Sequence, residues 1–247
     1  MIEYYYLDPS RNITLLVTSP VLTSDRARIA SELMALEPTA EQVGFVSGNR
    51  LDMAGGEFCG NATLSAAALC CRERGVDEGS VKMSVSGTRD DVNVFVRKIA
   101  DNRYEGRVEM PSPLGIRRID GKLTSVDFEG ISHIIIEGNM DKNEAEELAK
   151  RFCNELDADA VGVMLLDEKE GRLTPLVYVP AADTMCWESS CASGTTAAGV
   201  YLADKYAREI TAEFIQPGGV LKVTAAPHKK PAFTGTVIIG DLKKADI

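Results

Sequence analysis

Cys59-Gly-Asn-Ala-Thr-Leu-Ser-Ala-Ala-Ala-Leu-Cys70 and Cys191-Ala-Ser-Gly-Thr-Thr-Ala-Ala-Gly-Val-Tyr201 are the two stretches that decide how this chain is read. Each runs cysteine, a small residue, Asn or Ser, another small residue, Thr, and then an Ala-rich apolar stretch. The cysteines stand 132 positions apart (191 − 59) in 247 residues, so the pattern recurs after about half the chain. A helix that is apolar on nearly every side belongs inside a domain. Each stretch is therefore read as a buried helix that starts at its cysteine and runs on through 66–74 or 197–208.

The flanks repeat as well. Residues 81–85 and 210–215 alternate like strands, lead into Ser86-Gly87 and Pro217-Gly218-Gly219, and continue into 92–96 and 220–223. Tyr104-Glu-Gly-Arg-Val-Glu-Met110 is then answered by Phe233-Thr-Gly-Thr-Val-Ile-Ile239. Earlier strands are expected at 3–7 and 12–18, and at 133–137, 161–166 and 175–179. Helices near 25–36 and 143–156 carry charge on one face and belong at the periphery. The expected fold is α/β, in two pseudo-repeated domains, 1–113 and 114–247, joined at Pro111-Ser-Pro113. Each is expected to be a mostly antiparallel sheet or barrel around a central helix, with the active site in the cleft between them.

Composition narrows the function. A net charge of −10 is wrong for nucleic acid, which needs clustered cations, and small basic clusters such as Lys229-Lys230 and Lys243-Lys244 read as solvated ends. No apolar run approaches the roughly 20 residues of a membrane span, and the first residues lack the basic, then apolar, order of a signal peptide. A cytoplasmic location follows as an expectation. There, thiols stay reduced, and neither the six cysteines nor the two histidines have zinc-ligand spacing. No metal, no phosphate-binding loop and no cofactor are expected. Cys70, Cys71, Cys153 and Cys186 read as structural thiols, His133 and His228 as surface residues, and Trp187 as core or pocket wall.

Cys59 and Cys191 read differently. Small residues after each let the backbone approach a ligand closely, and the first N–H groups of a helix have no internal acceptor. The positive end of the helix dipole favours a carboxylate and is expected to lower a thiol pKa. Inverting an α-carbon needs a base on one face and an acid on the other, with the carboxylate held. Two thiols at two helix starts fit that reaction.

Gly56-Glu-Phe-Cys-Gly-Asn-Ala62 and Cys191-Ala-Ser-Gly-Thr195 resemble the two cysteine motifs of diaminopimelate epimerase and its superfamily of cofactor-independent amino-acid racemases and epimerases. Gln216-Pro-Gly-Gly-Val-Leu-Lys-Val223 and Pro231-Ala-Phe-Thr-Gly-Thr-Val-Ile-Ile-Gly240 are similar to the segments that follow in that family. The resemblance implies Cys59 and Cys191 as the acid–base pair. It also implies Asn12, Gln42, Gly60, Asn61, Ala192, Ser193 and Gly194 as substrate-binding positions, and a homodimer. Glu188, three before Cys191, and Glu57, two before Cys59, read as carboxylates that bind the substrate's α-amino group or orient a thiol, and Asp183 as one that could meet a cationic or imidazole side chain.

Four positions depart from diaminopimelate epimerases: Ala182-Asp183 replaces a Glu-Arg pair, Leu64 an Arg, and Ala192 a Gly. The wording Gly56-Glu-Phe-Cys-Gly-Asn-Ala-Thr63 is instead similar to the histidine racemases of opine-metallophore pathways. The activity so implied is α-carbon racemisation of a free amino acid. Two alternatives stand beside it: a hydroxyproline-type epimerase or dehydratase of the same fold, and a thiol redox or binding protein.

Overall fold

A computed structural model describes every residue except 120 and 181–183, and its contacts divide the chain into two compact units. The first holds Met1–Glu109 and Thr234–Ile247. It contains β1 (Ile2–Asp8), β2 (Thr14–Val17), α1 (Arg26–Leu36), β3 (Gln42–Ser47), β4 (Arg50–Met53), α2 (Gly60–Glu73), β5 (Glu78–Val85), β6 (Val92–Ala100) and β7 (Arg103–Glu109). The second, Met110–Phe233, contains β8 (Gly115–Arg118), β9 (Leu123–Phe128), β10 (Ile131–Glu137), α3 (Lys142–Leu156), β11 (Val161–Asp167), β12 (Arg172–Val179), β13 (Thr184–Trp187), α4 (Ala192–Tyr206), β14 (Ile210–Gln216) and β15 (Gly219–Ala225). The last strand, β16 (Ala232–Ala245), begins in the second unit and runs its length in the first.

In the first unit the strands follow the order β1-β2-β3-β4-β5-β6-β7-β16, and β16 pairs back onto β1 from Ile2↔Ala245 to Asp8↔Ile238. The sheet is thus a closed barrel. That pairing is why Thr234–Ile247 belongs with the N-terminal unit, whereas a division of the chain after residue 113 leaves it with the C-terminal half. In the second unit the order is β15-β14-β12-β11-β10-β9-β8, with β13 on β12.

Among the described residues four strand pairs are parallel: β2 with β3, β4 with β5, β10 with β11, and β12 with β14. A parallel pair needs a crossover connection, and α1, α2, α3 and α4 each lie in one. α1 and α3 are peripheral, as their charge pattern predicts. α1 turns Ile29, Ala30 and Leu33 inward, and α3 turns Ala145, Ala149, Phe152 and Cys153 inward. α2 and α4 are buried on nearly every side: all residues of α2 from Gly60 to Cys71 are buried, as are ten residues of α4.

Small side chains make that burial possible. A Cβ on Gly106 of β7 would lie 2.2 Å from Leu64 Cδ1 and 3.0 Å from the Phe95 carbonyl, and one on Gly199 would lie 2.6 Å from Val223. The core of the second unit gathers Val126, Phe128, Ile135, Met164 and Leu166 with Ala197, Ala198 and Val200 of α4.

His133 of β10 corrects the sequence reading. It is not a surface residue but wholly buried, edge-on to Phe128 at 6.0 Å between ring centroids. Gly162 stands opposite it because a Cβ there would lie 2.2 Å from its Nδ1. Neither ring nitrogen has a hydrogen-bond partner among the described residues. Burial pushes the imidazole pKa down to about 3, against a weaker upward pull from Asp127.

Two measurements test this packing. Gly106→Ala overpacks α2 against β7, and should cost about 1–3 kcal/mol in urea unfolding. His133 is neutral in the folded state down to about pH 3, while the unfolded chain takes up its proton below about 6.5. Stability is therefore lost as pH falls from about 6.5 towards 3, at up to about 1.4 kcal/mol per unit. Urea midpoints at pH 7 and pH 5 should differ less in His133→Leu than in the wild type.

Candidate active site

Cys59 is the N-cap of α2, with extended backbone at φ −125°, ψ 114°. Ser, Thr, Asp and Asn ordinarily hold that position and accept an orphan N–H. Here the sulfur does so, accepting from Ala62 N at 3.4 Å. Thr63 closes the turn: its N–H and its Oγ1 both donate to the Cys59 carbonyl, at 2.9 and 2.7 Å. That is the physical reason for a threonine four residues after the cysteine.

A set of amides surrounds this thiol. Cys59 Sγ donates to Gln42 Oε1 at 3.0 Å, and Gln42 Nε2 donates to Asn12 Oδ1 and to Thr14 Oγ1, both at 2.7 Å. Asn61 Nδ2 donates to the same Asn12 oxygen at 2.9 Å, and Asn12 Nδ2 donates to Glu41. Asn12, Gln42 and Asn61 thus come together at Cys59, with Gly60 in the first turn of α2. Glu41 and Thr14 join them, and only the hydrogen bonding of the folded chain reveals those two. Glu57 is an exposed residue whose carboxyl folds back onto the main-chain N–H groups of Gly55 and Glu57, where local burial raises its pKa.

Cys191 caps α4 in the same conformation, φ −127°, ψ 110°, with Sγ accepting from Gly194 N at 3.3 Å. Thr195 repeats the role of Thr63, its N–H and Oγ1 donating to the Cys191 carbonyl at 2.9 and 2.7 Å. Ser193 Oγ lies 3.4 Å from the sulfur, and Glu188 hydrogen-bonds the thiol. Ala192, Ser193, Gly194 and Glu188 are therefore all at Cys191. The Gly194 N–H differs from the sequence reading in one respect, since it is committed to the thiol rather than offered to a ligand.

The electrostatics of Cys191 overturn the expected direction. The helix start does not lower its pKa; the thiol is pushed well above the ordinary value. Burial is the largest cause and the Glu188 carboxylate the next, while Ser193 and the Gly194 N–H pull downward and lose. Cys191 is only 5% exposed, so desolvation of a thiolate outweighs a helix terminus.

The remaining sequence candidates fall elsewhere. All six cysteines are reduced, with Cys70, Cys71 and Cys153 buried in helices and Cys186 exposed. Trp187 packs with the α3 core and donates from Nε1 to Glu146 at 2.8 Å. Asp183 lies outside the described residues. Among the described residues no group of His, Cys, Asp and Glu could hold a metal ion, and no helix is long and apolar enough to cross a membrane. Gln216, at the end of β14, is a further residue that the sequence reading missed as a site member. Its Oε1 accepts from Cys191 N at 2.8 Å and its Nε2 donates to Thr195 Oγ1 at 2.7 Å.

Comparison with known proteins gives a consistent result. The family model described as the histidine racemase CntK N-terminal domain matches residues 1–243. A histidine racemase of Fusobacterium nucleatum subsp. nucleatum is 34% identical over 90% of this chain and 89% of its own. A histidine racemase of Staphylococcus aureus is 31% identical over 91% of this chain and 89% of its own. In fold, the chain is similar to a hydroxyproline epimerase from Agrobacterium vitis, with a TM-score of 0.67 at 10% identity over 98% of this chain and 91% of the other.

Replacing Glu188 by Gln removes the second cause of the raised thiol pKa and leaves burial in place. Ultraviolet titration of thiolate absorbance should show the Cys191 transition at lower pH in Glu188→Gln than in wild type, with Cys191→Ser identifying the signal. An unmoved transition would show that the Glu188 charge does not act on this thiol.

Proposed function

We propose that this chain, which belongs to the family of the histidine racemase CntK N-terminal domain, inverts the α-carbon of histidine with Cys59 and Cys191 as its acid–base pair. It is an amino-acid racemase, and so an isomerase. The observation that carries the two-thiol reading is that each cysteine is the N-cap of a buried helix, its sulfur held by the N–H three residues on.

The chemistry runs without a cofactor. One sulfur, as thiolate, takes the α-proton and becomes a thiol. The other, as thiol, delivers a proton to the opposite face and becomes a thiolate, so charge and protons balance across a turnover. The next substrate of opposite hand finds the roles exchanged. The electron pair left at the α-carbon is delocalised into the carboxylate, and donors aimed at that charge lower the barrier. Gly60, Asn61, Ala192 and Ser193 supply first-turn groups for the carboxylate. Asn12, Gln42 and Glu188 complete the substrate contacts, and Gly194 holds the second thiol.

Matched features in the two units support reading them as copies of one plan. These are the same N-cap conformation, the same threonine back-bond and a buried crossover helix in each. An acid–base pair of thiols needs reducing surroundings, which fits a cytoplasmic setting, and the resemblance favours a homodimer.

Deuterium incorporation at the α-carbon of L-histidine in D2O, under reducing conditions, is the deciding experiment. Exchange with inversion is expected in the wild type, and a loss of at least about 10³-fold in both Cys59→Ser and Cys191→Ser with the fold intact. Exchange with another amino acid but not histidine would sink the substrate assignment. Full activity in either serine variant would sink the two-thiol mechanism.

A further inference from the structure

Both buried helices carry, four residues after the N-cap cysteine, a threonine whose hydroxyl hydrogen is already spent on that cysteine's carbonyl. In the second unit this has a consequence for Gln216. Thr195 Oγ1, having donated its hydrogen to the Cys191 carbonyl, can only accept, so it takes Nε2 of the Gln216 amide at 2.7 Å. The amide oxygen is thereby turned to the Cys191 N–H, at 2.8 Å. A closed circuit results: Cys191 N–H to Gln216, Gln216 to Thr195, Thr195 to Cys191 C=O. Gln216 is 4% exposed and Thr195 fully buried, so water cannot substitute for either partner.

We infer that Gln216 is a positioning residue for Cys191, holding both main-chain groups of the N-cap so that the sulfur keeps one place as its proton comes and goes. This rests on the proposed acid–base role of Cys191. Among the described residues the Gln216 amide hydrogen-bonds the main chain of that residue and the hydroxyl of Thr195. The first unit differs: Gln42 turns its amide oxygen to the Cys59 sulfur itself.

The circuit needs a side chain that donates at one end and accepts at the other. Glutamine does so at every pH. Glutamate does so only when protonated, because an ionised carboxylate has no donor for Thr195. Methionine, similar in volume, does neither.

The test measures kcat and KM for α-proton exchange with histidine, against pH, with thermal unfolding as the check on folding. In Gln216→Met we expect kcat lower by about 100-fold, as for a reacting group misplaced by about an ångström, and KM within about threefold. Gln216→Glu should be similarly slow at pH 8 and should recover relative to wild type as pH falls and its carboxyl takes up a proton. Thr195→Ser should keep near-wild-type kcat and Thr195→Val should lose it, and this pair carries the test if Gln216→Met does not fold.

Wild-type kcat in folded Gln216→Met or Thr195→Val, a loss confined to KM, or a Gln216→Glu profile parallel to wild type would each overturn the inference. Cys191→Ser separates the two levels of the argument. If that variant is inactive while Gln216→Met is fully active, only the positioning role falls. If Cys191→Ser retains full exchange, the acid–base reading falls and takes the positioning role with it.

Discussion

A helix with small or apolar side chains on nearly every face can be buried only if a sheet curves round it, and that constraint orders the rest of this molecule. α2 and α4 cannot present a polar stripe to solvent, so each lies within its own unit as the crossover of a parallel strand pair. Strand positions that face them must give way, as Gly106 does to Leu64. Burial along the length leaves the N-terminus as the place where unpaired N–H groups accumulate. A residue at that end has a scaffold behind it that no surface loop could match.

A thiol at such a position is subject to two opposed effects. The helix terminus favours the thiolate, and removal from water disfavours it. At Cys191 the second wins, aided by the Glu188 carboxylate. The thiol form is consequently the favoured one at Cys191. Reasoning from the helix dipole alone selects the wrong sign because it ignores how deep a fully enclosed helix places its own cap.

The sequence made some of this legible and hid the rest for identifiable reasons. The alanine-rich runs after Cys59 and Cys191 announced buried helices, and the charged faces near 25–36 and 143–156 announced peripheral ones. The short strands β3, β4, β8, β9 and β13 left no clear alternation, being four to six residues long. The return of β16 to β1 is a pairing between chain ends, which no local pattern encodes. His133 read as a surface residue since a lone histidine at a strand start carries no sign of the Gly162 opposite it. Asn12, Gln42 and Asn61 were reached through resemblance, but Glu41, Thr14 and Gln216 enter by side-chain hydrogen bonds across 21 to 29 residues of chain, or by sharing a partner with one that does.

Amide side chains recur around these thiols because an amide has two unlike ends. Beside Cys59, the Thr14 hydroxyl gives its hydrogen to the Asn12 main-chain carbonyl and can then only accept from Gln42 Nε2. Asn12 is turned by Glu41, a carboxylate that accepts and cannot donate when ionised. With both constraints set, Gln42 has one orientation, and its oxygen meets the Cys59 sulfur. The same logic through Thr195 gives Gln216 one orientation toward the main chain of Cys191. In each unit, then, a hydroxyl whose hydrogen is spent on the backbone fixes which end of a glutamine faces the cysteine. A carboxylate in place of either glutamine would have no donor to read that constraint, and an apolar residue would leave buried donors and acceptors unpaired, at about 1–3 kcal/mol for each group.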